Sequence, residues 1–186
     1  MKQKGFTLWF TGLSGAGKTT LSNAVEKELR RLEMNVEHLD GDIVRKYLSR
    51  DLGFTKEDRG KNIERVTFVA SLLTKYDVAT LVSFISPYRE KREEARAMIG
   101  SFVEVYVKCP LEVCEERDVK GLYKKARKGE IDYFTGITDP YEEPENADVT
   151  VNTSELNETQ CAEAVLDHLE KTGYIDRALD WKALME

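Results

Sequence analysis

Cysteine and histidine are scarce in this chain. Three cysteines (Cys109, Cys114, Cys161) and two histidines (His38, His168) are spread over 186 residues. The odd cysteine count argues against a disulfide framework, and no metal-ligand spacing joins these residues into a zinc site. Reduced thiols that pack as small apolar groups are expected, in the cytoplasm. No apolar run reaches the length of a membrane span, and Met1-Lys2-Gln3-Lys4 leads straight into the first strand. Neither membrane insertion nor a signal peptide is therefore expected. A basic surplus is also lacking. The net charge of −6 argues against nucleic acid as a partner, since that needs a basic surface. Any basic cluster must be local and aimed at a small anion. Repeats and linkers are missing too, and 186 residues suit one domain (1–186) with a full core.

Against these absences stands one dense stretch, Gly12-Leu13-Ser14-Gly15-Ala16-Gly17-Lys18-Thr19, which matches G-x-x-x-x-G-K-[ST] at each defined position. The apolar run Phe6-Thr7-Leu8-Trp9-Phe10 precedes it as a buried strand. Leu21, Ala24, Val25, Leu29 and Leu32 follow at the spacing of a helix face. Strand, glycine turn and helix N-terminus together make an anion site. The glycines let backbone N–H groups converge, and the helix dipole adds positive charge. Lys18 is expected to reach the β- and γ-phosphates of a nucleotide, and Thr19 to ligate Mg²⁺ through its hydroxyl, with Thr20 the weaker candidate.

The rest of the chain alternates strands and helices. Val36-Glu37-His38-Leu39-Asp40 reads as a strand. Thr55 and Asp58 resemble a capping box opening a helix with Ile63, Val66, Val69, Ala70 and Leu73 inside. Residues 78–85 are a near-continuous apolar strand, followed by a charged helix at 90–98. A strand at 102–107 and a short helix from Pro110 come next. Val149-Thr150-Val151 is the last strand, and Asn157 with Gln160 caps a helix ending near Gly173. This pattern predicts an α/β fold of the P-loop NTPase type, three layers deep, with a mostly parallel sheet wound by helices on both faces. Ligands then sit at the C-terminal strand ends. Residues 117–148 show no sustained period and carry Lys120, Lys124, Lys125, Arg127 and Lys128. So long an irregular stretch is expected to be either disordered or a mobile functional lid. The tail at 174–186, with Trp181, Leu184 and Met185, reads as a small amphipathic surface piece.

The nucleotide motif alone does not name a reaction. Asp118-Val119-Lys120-Gly121 and Thr74-Lys75-Tyr76-Asp77 mimic the switch and base-reading patterns of a GTPase, but in reversed order and in the wrong context. Asp40-Gly41-Asp42, at a strand end facing the phosphate loop, fits a kinase instead. A carboxylate there can orient an acceptor hydroxyl and take its proton, or hold Mg²⁺ through water. Arg45, Arg59, Asn62 and Arg65 follow. They suit a second substrate bearing phosphate or sulfate, unless they are solvated charges on helix surfaces.

At this level of detail the chain resembles the adenylyl-sulfate kinase family. The resemblance rests on Asp40-Gly41-Asp42 with Arg45, Gly53-Phe54, Arg59 with Asn62 and Arg65, and Ile85-Ser86-Pro87-Tyr88-Arg89. It continues through Lys120-Gly121-Leu122-Tyr123-Lys124-Lys125-Ala126, Phe134-Thr135-Gly136-Ile137, Pro140-Tyr141-Glu142 and Pro144-Glu145-Asn146. Val119 departs from the proline expected before Lys120. The resemblance implies γ-phosphoryl transfer from ATP to the ribose 3′-hydroxyl of adenosine 5′-phosphosulfate, in sulfate assimilation. By the same resemblance Asp42, Arg45, Arg59, Asn62, Ile85 and Lys120 bind the phosphosulfate nucleotide, and Phe54 and Phe134 sandwich its adenine. Arg117 and Thr153 are implied contacts to the ATP adenine, and Ser86 is either a phosphorylated intermediate or a positioning residue. A homodimer and an association with ATP sulfurylase are further expectations from the family. The rival readings are another small-molecule kinase, for adenylate, a sugar acid or shikimate, and a nucleotide-binding regulatory module without turnover.

Overall fold

The computed structural model describes residues 3–179, so Trp181, Leu184 and Met185 lie outside the described residues. Along the chain run β1 (Phe6–Thr11), α1 (Lys18–Arg31), β2 (Val36–Asp40), α2 (Gly41–Tyr47), α3 (Lys56–Lys75) and β3 (Ala79–Ser83). They are followed by α4 (Arg89–Ile99), β4 (Phe102–Lys108), α5 (Leu111–Arg117), α6 (Leu122–Arg127), β5 (Val149–Asn152), α7 (Glu158–Lys171) and a 3₁₀ turn, Arg177–Leu179. The sheet order is β2-β3-β1-β4-β5, parallel at every pairing. The chain first builds the β2 and β3 side and then crosses β1 to build the other. The strand order therefore reverses at β1, and a crevice opens beyond its C-terminal end.

Burial follows from the two-sided winding. β1 is buried along its whole length, as a central strand covered on both faces must be. Its alternation sends Phe6, Leu8 and Phe10 to one core, with Leu21, Val25 and Leu29 of α1 and Val165 and Leu169 of α7. Trp9 goes to the other core, with Ile63, Val66 and Ala70 of α3 and Ala95 of α4. Trp9 is the largest fully buried side chain among the described residues. Its indole N–H needs a partner at that depth, and it donates to Ser86 Oγ at 2.9 Å.

Helix ends follow local chemistry. Asn157 and Gln160 form the reciprocal capping box that opens α7, and the Thr55 hydroxyl accepts from the Asp58 N–H to open α3. Two expectations from the sequence are revised, and one further element appears. The apolar strand at 78–85 ends at Ser83, because residues 84–88 leave the sheet and Ser86 takes φ 39°. A short helix, α2, starts directly at the end of β2, capped by the Asp40 carboxylate on the Asp42 N–H. The irregular stretch 117–148 contains α6, whose first backbone N–H groups at Tyr123 and Lys124 are taken up by Asp118.

The second part of that stretch is tied to the body. Arg59 donates to Tyr133 O, the Tyr88 hydroxyl to Asp139 and the Glu142 N–H to Pro87 O, while Tyr141 OH pairs with Thr11 Oγ1. Residues 118–132 make fewer such ties and lie over the crevice.

Candidate active site

The phosphate loop is shaped by its glycines and by what packs behind them. A Cβ on Gly12 would stand 2.4 Å from Val107 O, so only glycine lets β1 turn here against β4. Gly17, at φ 97°, caps α1 in a conformation that other residues adopt only under strain. Ala16 is buried, and its carbonyl accepts from the Thr153 hydroxyl at 2.8 Å. Arg117 reaches back from α5 to donate to Gly15 O at 3.3 Å and to Thr153 O at 2.7 Å. Arg117 and Thr153 thus meet each other and the loop backbone while bordering the crevice.

Lys18 is half-buried and donates to Gly12 O at 2.9 Å and Leu13 O at 2.7 Å. Burial lowers its pKa from 10.5 to about 8, with Lys120 pushing the same way, and the carboxylates of Asp40 and Asp42 oppose the shift. Thr19 and Thr20, in the first turn of α1, are exposed toward the crevice. The Thr19 hydroxyl donates to Asp40 Oδ2 at 3.1 Å, while Asp40 Oδ1 accepts from the Asp42 N–H at 2.9 Å. One carboxylate therefore joins the phosphate loop to the start of α2. Asp42, two residues on, is paired with Lys120 from the segment over the crevice.

A cavity of about 870 Å³ runs from this loop past Asp40 and Asp42 into a pocket between α2, α3 and residues 131–135. Arg45, Phe54, Arg59, Asn62, Ile85, Ser86, Lys120 and Phe134 all line it. The Arg45 guanidinium lies 4.4 Å from the Phe54 ring centre and Arg59 lies 5.5 Å from it. This places cationic groups and an aromatic face together. Phe54 is 53% exposed and lines the cavity, so part of its ring surface is open to a flat partner. Phe134 is buried and packs edge-on against Tyr123, ring centres 4.9 Å apart. Arg59 is held rigidly by Phe54 O, Tyr133 O and the Asp139 carboxylate; burial lowers its pKa, against the pull of Asp139. Asn62 is 3% exposed and its Oδ1 has no hydrogen-bond donor. A buried acceptor of that kind is costly unless a ligand or water donates to it.

Not every residue singled out in the sequence reaches the cavity. Gly12, Leu13 and Ala16 shape the loop from behind it. Arg65 is turned away, with a two-pronged bond to Asp51 at 2.6 and 2.7 Å. Tyr123 had no role from sequence, yet its hydroxyl donates to Ser14 O at 2.8 Å and so fixes α6 to the phosphate loop. Its place between Leu122 and a run of lysines was the available signal: an apolar pair in a basic segment needs something to pack on. Cys109, Cys114 and Cys161 are buried free thiols. Among the described residues no helix is long and apolar enough to cross a membrane.

Comparison with known proteins agrees with this geometry. The family model described as adenylylsulphate kinase matches residues 4–152. The adenylyl-sulfate kinase of Halothermothrix orenii is 61% identical over 174 residues, which cover 94% of each chain. The solved structure of the Mycobacterium tuberculosis APS kinase CysC in complex with AMPPNP and APS aligns with a TM-score of 0.86 at 43% identity. That alignment covers 90% of this chain and 99% of the other. A hexameric APS kinase from Thiobacillus denitrificans aligns with a TM-score of 0.71 at 36% identity, over 94% of this chain and 30% of that longer one. With a phosphate loop, a facing carboxylate pair and an arginine-aromatic pocket in one cavity, the chain belongs to the adenylyl-sulfate kinase family.

Proposed function

We propose that this protein transfers the γ-phosphoryl group of ATP to the ribose 3′-hydroxyl of adenosine 5′-phosphosulfate, releasing ADP and 3′-phosphoadenosine 5′-phosphosulfate. The observation that carries the reading is the continuity of the cavity. The donor loop and a pocket fit for an anionic nucleotide open into one space, with Asp40 and Asp42 where they meet. In this reading Lys18 leaves the Gly12 and Leu13 carbonyls and engages the β- and γ-phosphates, with the loop N–H groups around them. Arg45, Arg59 and Lys120 take the phosphosulfate, whose charge suits guanidinium forks. Asn62 Oδ1 accepts from the acceptor nucleotide, and Phe54 and Phe134 hold its adenine between two faces. Asp42 orients the 3′-hydroxyl and receives its proton. Arg117 and Thr153 border the ATP base.

Mg²⁺ fits the donor set at the loop. Thr19 Oγ1 and Asp40 Oδ2, 3.1 Å apart, are both oxygen ligands, and Mg²⁺ takes one or two protein oxygens beside phosphate and water. When bound it supplies charge neutralisation on the phosphate oxygens. Lys120 must exchange Asp42 for substrate, which makes the turn around Lys120, ahead of the anchored α6, the part of the expected lid that is able to move and help exclude water. A single domain spanning 1–186, working in the cytoplasm, completes the reading. Self-association is supported by the hexameric relative, and by Phe68 and Leu72 exposed on α3 with Tyr76 exposed just beyond its end. In this reading an ATP sulfurylase, which makes the acceptor, is the functional partner.

The test is ADP release from Mg-ATP with adenylyl sulfate, AMP, gluconate or shikimate offered in turn. Turnover is expected with adenylyl sulfate alone. Equal or faster turnover with another acceptor assigns the pocket to that acceptor, and no turnover with any acceptor leaves a binding module.

A further inference from the structure

Arg92 is charged, yet it is 2% exposed and deep inside the fold. A buried guanidinium must have its charge matched and its N–H groups satisfied. Glu104 of β4 matches the charge, accepting from Arg92 Nε at 2.6 Å. The remaining contacts go to two backbone carbonyls far apart in sequence: Nη1 donates to Ser86 O at 2.7 Å and Nη2 to Glu142 O at 2.8 Å. The first belongs to residues 84–87, which line the acceptor end of the cavity. The second belongs to the segment that carries Asp139, the partner of Arg59 and Tyr88, and Tyr141, the partner of Thr11.

Ser86 has φ 39°, a left-handed conformation that a serine holds only when its surroundings impose it. Trp9 fixes its side chain, and Arg92 fixes its carbonyl. A lysine could match Glu104 but has no planar fork to reach two carbonyls in different directions. We propose that Arg92 is a positioning residue for the acceptor site. It ties the Ile85-Ser86-Pro87 wall to the 139–142 segment, whose Asp139 holds Arg59, so that the wall and Arg59 keep one fixed relative position toward the acceptor nucleotide. The phosphate loop takes no bond from Arg92, so the donor site is expected to be indifferent to it.

The proposal rests on adenylyl sulfate occupying this cavity. If that were wrong, the wild-type protein itself would show no turnover with adenylyl sulfate, an outcome separate from those below. Steady-state kinetics would be measured for Arg92→Lys and for the double variant Arg92→Met/Glu104→Met. The double variant removes both buried charges together and so leaves neither unpaired. In each, KM for adenylyl sulfate is expected to rise about tenfold or more, the loss of one well-made set of hydrogen bonds. KM for ATP should stay within about twofold, since the loop is untouched. Glu104→Gln, which leaves the arginine on both carbonyls, is expected to lower thermal stability while KM for adenylyl sulfate stays within about twofold. Three results overturn the proposal: an unchanged acceptor KM in either arginine variant, a parallel rise in both KM values, or a Glu104→Gln protein with the same acceptor defect. The two arginine variants perturb the fold in different ways, one keeping the buried charge pair and one removing it, so either variant that folds is enough to decide.

Discussion

The donor and acceptor sides of the crevice are built in opposite ways. The donor side is local: residues 12–19 are contiguous, their groups are mostly backbone, and Lys18 is held by carbonyls five and six residues away. The acceptor side is assembled from α2, α3, residues 84–87 and the 131–135 segment. Its polar groups are side chains fixed over long separations, as Arg59 is by Tyr133. A local anion site is already shaped before any ligand arrives, because its turn geometry is intrinsic. A site made of distant segments takes shape only when those segments dock, and one of its own charges, Lys120, is committed meanwhile to Asp42. Substitutions on the two sides should therefore separate into effects on phosphate chemistry and effects on acceptor handling.

The largest effect is expected from the donor side. Lys18→Ala should lower turnover by about 10²–10³-fold, the usual scale for one electrostatic contact to the transferring group, while thermal unfolding stays close to wild type. A folded Lys18→Ala protein with wild-type turnover would show that the nucleotide sits elsewhere. The comparison sharpens at Asp42, which faces the acceptor. Asp42→Asn keeps the shape and removes the charge that orients and deprotonates the hydroxyl, at a cost of about a hundredfold in kcat. ATP affinity should hold. If instead ATP affinity fell and kcat survived, Asp40 would become the better base, and Asp42 would belong to the donor side.

The same division governs what the sequence reveals. The phosphate loop is legible residue by residue, because a motif of fixed spacing on a strand-turn-helix is a local object. The parallel sheet is legible from apolar runs such as 102–107, which are buried on both faces. The end of β3 is not, since Phe84 and Ile85 continue the apolar pattern after the backbone has left the sheet. Nor is α6, whose start depends on Asp118 accepting two N–H groups. Arg65 shows the limit on the acceptor side. It shares α3 with Arg59 and Asn62, but its partner is Asp51, and no spacing along the helix reveals that choice. In the sequence Arg92 is one charge among many on a charged helix, because its burial is a tertiary fact.

A smaller effect concerns pH, and it falls on the donor side alone. Lys18 is lowered from 10.5 to about 8, first by burial. The free protein therefore loses this proton above about pH 8, whereas the unfolded chain keeps it up to about 10.5. The cost of burying that charge is present below pH 8 and is relieved as pH rises through that window. ATP phosphates favour the charged form and raise the pKa again. Nucleotide binding should therefore take up a proton above about pH 8, and ATP affinity should weaken by about fivefold to tenfold between about pH 8 and 9. Calorimetry in buffers of different ionisation enthalpy measures the uptake directly. No uptake at about pH 9 would mean that Lys18 is charged in the free protein, and the tie to Gly12 and Leu13 would then outweigh its burial.

The smallest effect on turnover is expected at Ser86, where two mechanisms compete. A phosphorylated serine intermediate needs a base beside the hydroxyl and room for two in-line transfers. Ser86 is 2% exposed; its Oγ accepts from Trp9 Nε1 at 2.9 Å and faces Phe84 O at 3.4 Å. A carbonyl and an indole N–H are its neighbours, and neither can take its proton. Direct transfer asks only that the acceptor be positioned and its charge stabilised. Ser86→Ala is accordingly expected to keep turnover within about threefold, since position is set by the backbone at 85–87 and not by this hydroxyl. The substitution leaves the buried Trp9 N–H without its partner, at about 1–3 kcal/mol of stability. Its signature is thus a protein that melts earlier and works nearly as well. Rapid quench with γ-labelled ATP separates the two mechanisms more sharply. Label that appears on Ser86 and passes to adenylyl sulfate at the turnover rate, together with an inactive Ser86→Ala, would make the serine a nucleophile. It would also move Ser86 from the acceptor wall into the chemistry of transfer.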